Sequence, residues 1–169
     1  EALAGGKRRV LGCGSLGLMD RFDSFREPPL RLPSDMAAII AEPARFPLLD
    51  KVISLEENKS IITETTLSTE LHPFLIDHAI DGVPYHPGVM ALEMFAENSL
   101  LMKPSTCLAG FEQVTFGLPV KLLKGEMKVR IVAEHEREET GVHWIKCKLV
   151  SDLTNSKGEV FGEREHHSA

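Results

Sequence analysis

The residues best suited to chemistry in this 169-residue chain lie close together, between positions 72 and 97. His78 sits in a dense loop, His72 to Pro87, just before an apolar stretch, Gly88 to Met102, with helical spacing. Histidine titrates near neutral pH, so one held at such a place can take up a proton and return it. Pro87 suits the first turn of the helix that follows. That helix start offers backbone N–H groups and a positive dipole end, and Gly88 lets a ligand approach closely. An oxygen gathering negative charge could be held there. Glu93 and Glu97, four apart on the helix, would alone read as a solvated face. Enclosed by a sheet, a carboxylate there is desolvated and favours its protonated form, as a proton donor requires. Tyr85, the only tyrosine, reads as a pocket wall or as ordinary loop packing. His86 reads equally as pocket lining or as solvent-facing. Gly82 and Pro87 shape the loop, while His72, Asp77 and Asp81 have no evident role.

These groups need elements to hold them. Lys51 to Glu56 and Ser60 to Leu67 read as two strands around a Glu57-Asn58-Lys59 turn, the second rich in β-branched residues. The helix carries Val89, Leu92, Phe95 or Ala96, Ser99 and Met102 on one face, and Lys103-Pro104 ends it. Further strands are expected over Phe111–Leu122, Glu126–Glu136, Val142–Ser151 and Glu159–Glu165, and the pairs Glu138-Glu139 and His166-His167 read as solvated turn and tail. One helix among that many strands is best buried by a sheet curling around it, an α+β arrangement. Ahead of this, glycines cluster early and Pro28, Pro29, Pro33, Pro43 and Pro47 follow. Residues 22–47 therefore read as an extended connector with one short helix near Ser34 to Ala41. Gly12, Gly14 and Gly17 match a dinucleotide-loop spacing, but no strand–helix–strand context supports that reading.

His78, Gly82 and Pro87 also satisfy an HxxxGxxxxP spacing, flanked by Phe74-Leu75-Ile76-Asp77-His78 and Pro87-Gly88-Val89-Met90-Ala91-Leu92-Glu93. In this the chain resembles the dehydratase domains of polyketide and polyunsaturated fatty-acid synthases, over roughly residues 48–166. The resemblance implies a single hotdog fold, an antiparallel sheet wrapped around one long central helix, over residues 48–169. Residues 1–47 look like the linker and tail after a ketoreductase-like module, and a start at Glu1 suggests a piece of a longer polypeptide.

The resemblance further implies removal of water from a (3R)-hydroxyacyl chain carried on the phosphopantetheine of an acyl carrier protein, giving a trans-2-enoyl thioester. No other cofactor and no metal is expected. His78 would be the base, and the Gly88 N–H would contact the thioester carbonyl, with Tyr85 and His86 lining the substrate site. In stand-alone dehydratases a carboxylate sits six residues after the motif proline, which here is Glu93, and it serves the site of the partner subunit. Fused double-hotdog dehydratases instead carry an aspartate in a DxxxQ-type motif. Asp152 is followed four residues later by Ser156, so that pattern is missing. The chain is long enough for one hotdog, leaving a homodimer, which is preferred, or a partner hotdog elsewhere. Competing readings are a noncatalytic hotdog that organises a synthase or holds a chain, and a hotdog thioesterase.

Composition narrows the classes. A net charge of −6 argues against a general nucleic-acid binder. The stretch Lys121 to Arg130 is locally basic and could meet an acidic carrier protein, although a solvated strand face is the plainer reading. No apolar run is long enough to span a membrane. Three cysteines without metal-type spacing suggest free thiols in a reducing, cytoplasmic setting.

Overall fold

Residues Ser60–Ser68 alternate between half-buried and fully buried along their whole length, which places one face of this strand against a core. The computed structural model describes residues 46–104 and 106–169. In order they form β1 (Lys51–Glu56), β2 (Ser60–Ser68), α1 (Phe74–Asp77), β3 (Ala79–Ile80), β4 (Val83–Pro84), α2 (Gly88–Met102), β5 (Thr115–Phe116), β6 (Glu126–Glu139), β7 (Val142–Thr154) and β8 (Val160–Ser168). Six strands make one antiparallel sheet in the order β1-β2-β6-β7-β8-β5, and β3 and β4 pair separately. The sheet packs on α2 through β2, β6 and β7. This is the hotdog fold. No helix among the described residues is long and apolar enough to cross a membrane.

The core joins Ile61, Leu67, Val129, Ile131, Ala133, Cys147 and Leu149 of the sheet to Ala91, Met94, Phe95 and Leu101 of the helix. Phe46 also belongs to it. The helix face differs from the expected stripe. Of that stripe Phe95, Ala96 and Met102 are buried but Val89 is 65% exposed, and Ala91, Met94, Asn98 and Leu101, outside it, are buried as well. A helix enclosed by a curved sheet is buried nearly all round, so a single stripe does not describe it. Its polar positions are accordingly bonded. Thr63 Oγ1 donates to Asn98 Oδ1 at 2.8 Å, Asn98 Nδ2 to the Met94 carbonyl at 2.8 Å, and the Leu48 N–H to Glu97 Oε2 at 3.1 Å. Glu97 thus fastens the chain before β1 to the helix, and that donor satisfies one of its buried carboxyl oxygens.

Two other expectations are corrected. Of the strand expected over Phe111–Leu122, only Thr115–Phe116 joins the sheet. Pro119 lacks an N–H and Gln113 takes a positive φ of 53°, so a continuous ladder cannot form. His166 and His167 are buried, 2% and 5% exposed, rather than forming a solvated tail. The register explains why two adjacent residues both turn inward. Leu149 pairs with His167 and Val150 with Glu165, leaving His166 as the extra residue of a β-bulge. Cys147 is a free, buried thiol, and that burial pushes its pKa up to about 12. Cys13, the early glycines and the connector helix lie outside the described residues.

Candidate active site

The motif histidine is placed by a very small hairpin. His78 ends the single turn of α1 with φ −108° and ψ 57°. The chain then runs up β3 and back down β4, pairing Ala79 with Pro84 and Ile80 with Val83. Asp81 (φ 51°) and Gly82 (φ 75°) form the connection. Two successive positive φ values are what a tight antiparallel hairpin needs, and Gly82 meets that requirement without a Cβ penalty. One step below the last pair, the Tyr85 N–H donates to the His78 carbonyl at 2.9 Å, and His78 Nδ1 lies 2.9 Å from the Tyr85 carbonyl. A carbonyl can only accept, so Nδ1 carries a proton, and in the neutral ring Nε2 is the nitrogen with the lone pair. The ring is exposed in the single chain. The spacing from His78 to Gly82 therefore encodes one hairpin, with a basic nitrogen at its foot.

The spacing from Gly82 to Pro87 leads to the helix start. Pro87 caps α2 in an extended conformation (ψ 135°), and the Met90 N–H bonds its carbonyl at 2.9 Å. The remaining first-turn amides have no intrahelical acceptor, and the dipole is positive there. The space a Gly88 side chain would take is filled by Phe116, whose ring carbons lie 2.7 and 2.8 Å from an ideal Cβ. Gly88 is thus required by packing, independently of any ligand. Residues 84–86 are tied to a strap that runs from β5 to Leu122. The His86 N–H donates to the Val120 carbonyl at 3.0 Å, the Leu122 N–H to the Pro84 carbonyl at 2.9 Å, and Tyr85 bridges Lys121.

His86 is 4% exposed and so does not face solvent, and neither ring nitrogen has a hydrogen-bond partner among the described residues. Burial lowers its pKa to about 3, and the nearby His167, His72, His78 and His166 add to the effect. It is neutral at any ordinary pH. Tyr85 is half-buried with the Lys121 ammonium 5.3 Å from its ring centroid. His72 packs edge-on against Phe74 at 5.8 Å, and burial lowers its pKa too. Glu93 is half-buried, beyond the first turn of α2. The structure therefore joins His78 to Tyr85 directly and sets His86 and Gly88 on either side of Pro87. The residues missed in the sequence are His166, His167 and Phe116, which cluster under the same corner. Phe116 and His167 meet edge to face at 5.6 Å. Of the basic stretch, Arg130 is paired with Asp152 and Glu163 at 2.5 and 2.6 Å, and Lys128 lies 3.9 Å from Glu64. These charges are satisfied within the sheet face.

A cleft of about 580 Å³, lined by residues such as Lys103, His135 and His143, opens at the far end of α2. It involves none of the motif residues.

Comparison with known proteins fits this geometry. Residues 46–147 match the family model described as polyketide synthase dehydratase domain. Polyketide synthase GfsE of Streptomyces halstedii is 32% identical over 68 residues, 40% of this chain and 2% of that protein. Among solved structures, the dehydratase domain from the CurJ module of curacin polyketide synthase superposes with a TM-score of 0.56 at 18% identity, covering 72% of this chain and 40% of that one. The dehydratase domain from the terminal module of the rifamycin polyketide synthase gives 0.54 at 20% identity, covering 72% and 41%. The chain thus spans about two fifths of the length of those solved domains. With the family model matching more than half of its residues, and with the motif hairpin and helix inside the matched region, the chain belongs to the polyketide synthase dehydratase domain family.

Proposed function

We propose that this domain removes water from a (3R)-hydroxyacyl thioester carried on an acyl carrier protein, producing a trans-2-enoyl thioester. The observation that carries the reading is the fixed tautomer of His78, whose Nδ1–H is held by the Tyr85 carbonyl while Nε2 is left to accept a proton. In the reaction, Nε2 takes the proton from C2 and the C2–H electron pair becomes the C2–C3 double bond. The C3–O bond breaks, and the departing hydroxyl receives a proton from a carboxylic acid and leaves as water. Charge gathering on the thioester oxygen is met by the Gly88 N–H at the helix start. The imidazolium and carboxylate then exchange a proton through solvent, which restores both groups.

The acid is Glu93 of a second copy of the chain. Ile76, Ile80, Val89, Phe116 and Leu118 are all more than half exposed beside the motif corner, the apolar rim of a face that is covered in use. A second hotdog covering that face would bring its own carboxylate toward His78. A purified-chain assay with a 3-hydroxyacyl pantetheine thioester tests the proposal. Enoyl product from the native chain and its loss in His78→Ala are expected. Absence of enoyl product, or a His78→Ala rate equal to the native one, contradicts it.

A further inference from the structure

We infer that His166, the bulge residue of β8, is a positioning residue for His78, an inference that rests on the proposed dehydration. Its side chain makes two bonds inside the fold. Nδ1 lies 3.1 Å from the Leu118 carbonyl and Nε2 lies 2.8 Å from Ser151 Oγ. The carbonyl can only accept, so Nδ1 carries the proton and the Ser151 hydroxyl donates to Nε2. The His166 backbone carbonyl also accepts the Gly117 N–H at 2.9 Å. The bulge therefore grips the strap at two consecutive residues, Gly117 and Leu118. Gly117 has no room for a side chain, because a Cβ would stand 2.8 Å from that same carbonyl.

The strap passes the constraint on. Beyond Leu118 it presents the Val120 carbonyl to the His86 N–H and receives the Pro84 carbonyl on the Leu122 N–H. Those two bonds bracket Tyr85, and it is the Tyr85 carbonyl that fixes the His78 tautomer. The hairpin of β3 and β4 has no buried residue of its own to set its position. The strap that ties it to the main sheet is anchored by the β5–β8 pairing, by buried Val120 and Leu122, and, between them, by the His166 bonds to Gly117 and Leu118. Bulges commonly re-aim a side chain next to a site, and this one turns His166 inward to hold the strap.

The test compares His166→Asn with His166→Gln in the full chain. The asparagine amide sits at the same distance from the backbone as Nδ1 and can keep the bond to Leu118, whereas the glutamine amide matches Nε2 and cannot. Nitrogen-15 spectra of the histidine side chains report the His78 tautomer without any turnover. His166→Asn is expected to retain the Nδ1–H form of His78 and turnover within about threefold of native. His166→Gln is expected to mix the two tautomers and lower kcat on the order of tenfold to a hundredfold with KM little changed. Gly117→Ala displaces the strap from the other side and should reproduce the His166→Gln spectrum, which keeps the test open if one histidine variant does not fold. An unchanged His78 tautomer in both His166→Gln and Gly117→Ala overturns the inference. A native chain without turnover would instead overturn the proposed reaction, and the spectra would still be readable.

Discussion

Two hairpins in this molecule close through the same kind of turn and serve opposite ends. The β3–β4 hairpin turns at Asp81 (φ 51°) and Gly82 (φ 75°), and the β6–β7 hairpin at Thr140 (φ 50°) and Gly141 (φ 78°). The long hairpin buries Val129, Ile131, Ala133, Cys147 and Leu149 against the helix. The short one has no fully buried residue and carries His78 at its foot. Stability and the proposed chemistry are thus held by different strand pairs. The hairpin of His78, lacking a core, takes its position from bonds to the strap.

That division sets the order of expected effects. His78→Ala should cost turnover on the order of a thousandfold, the scale of a lost general base, and leave thermal stability near native because the ring is exposed. Measured kinetics and a melting curve on one sample check both halves. Leu149→Ala in the long hairpin should do the reverse, lowering unfolding free energy by about 2–5 kcal/mol through the cavity it leaves, as read by denaturant titration.

The third effect is a pH dependence. His86 binds a proton near its ordinary value of 6.5 in the unfolded chain and only near pH 3 when folded, so the unfolded state holds more protons between those values. Stability therefore rises with pH across this window and is lost as pH falls below 6.5. The loss due to His86 should reach roughly 2 kcal/mol by pH 5. His86→Phe should flatten the dependence, and an unchanged slope would contradict the burial of a neutral imidazole. Smallest is the paired turn test. Gly82→Ala and Gly141→Ala should each cost about 1 kcal/mol from the positive φ. Gly82→Ala alone should lower turnover, since only that turn aims His78.

Much of this was legible in the sequence. The bounds of β1 and of α2 coincide with the expected Lys51–Glu56 and Gly88–Met102, because turn residues, Pro87 and Lys103-Pro104 are local signals. The motif spacing from His78 to Pro87 likewise describes local geometry, a hairpin followed by a helix start. What was not legible depends on distant partners. The inward turn of both His166 and His167 follows from a register shift against β7, which no pattern within Val160–Ser168 reveals. Phe111–Leu122 is apolar enough to read as a strand, while beyond Phe116 its bonds go to residues 84–86 and 166. The helix stripe is incomplete for the same reason, since a wrapped helix is buried on faces a half-exposed one would leave to water.

The site built from two copies can be tested most directly by mixing two inactive chains. In the proposed homodimer each site takes His78 from one chain and Glu93 from the other. His78→Ala and Glu93→Gln chains should each be nearly inactive alone. Unfolded together and refolded, half of the dimers formed by random pairing are mixed, each with one of two sites intact, so about a quarter of native turnover should return. Mixed dimers verified by mass yet showing no recovery would contradict a site shared between two copies.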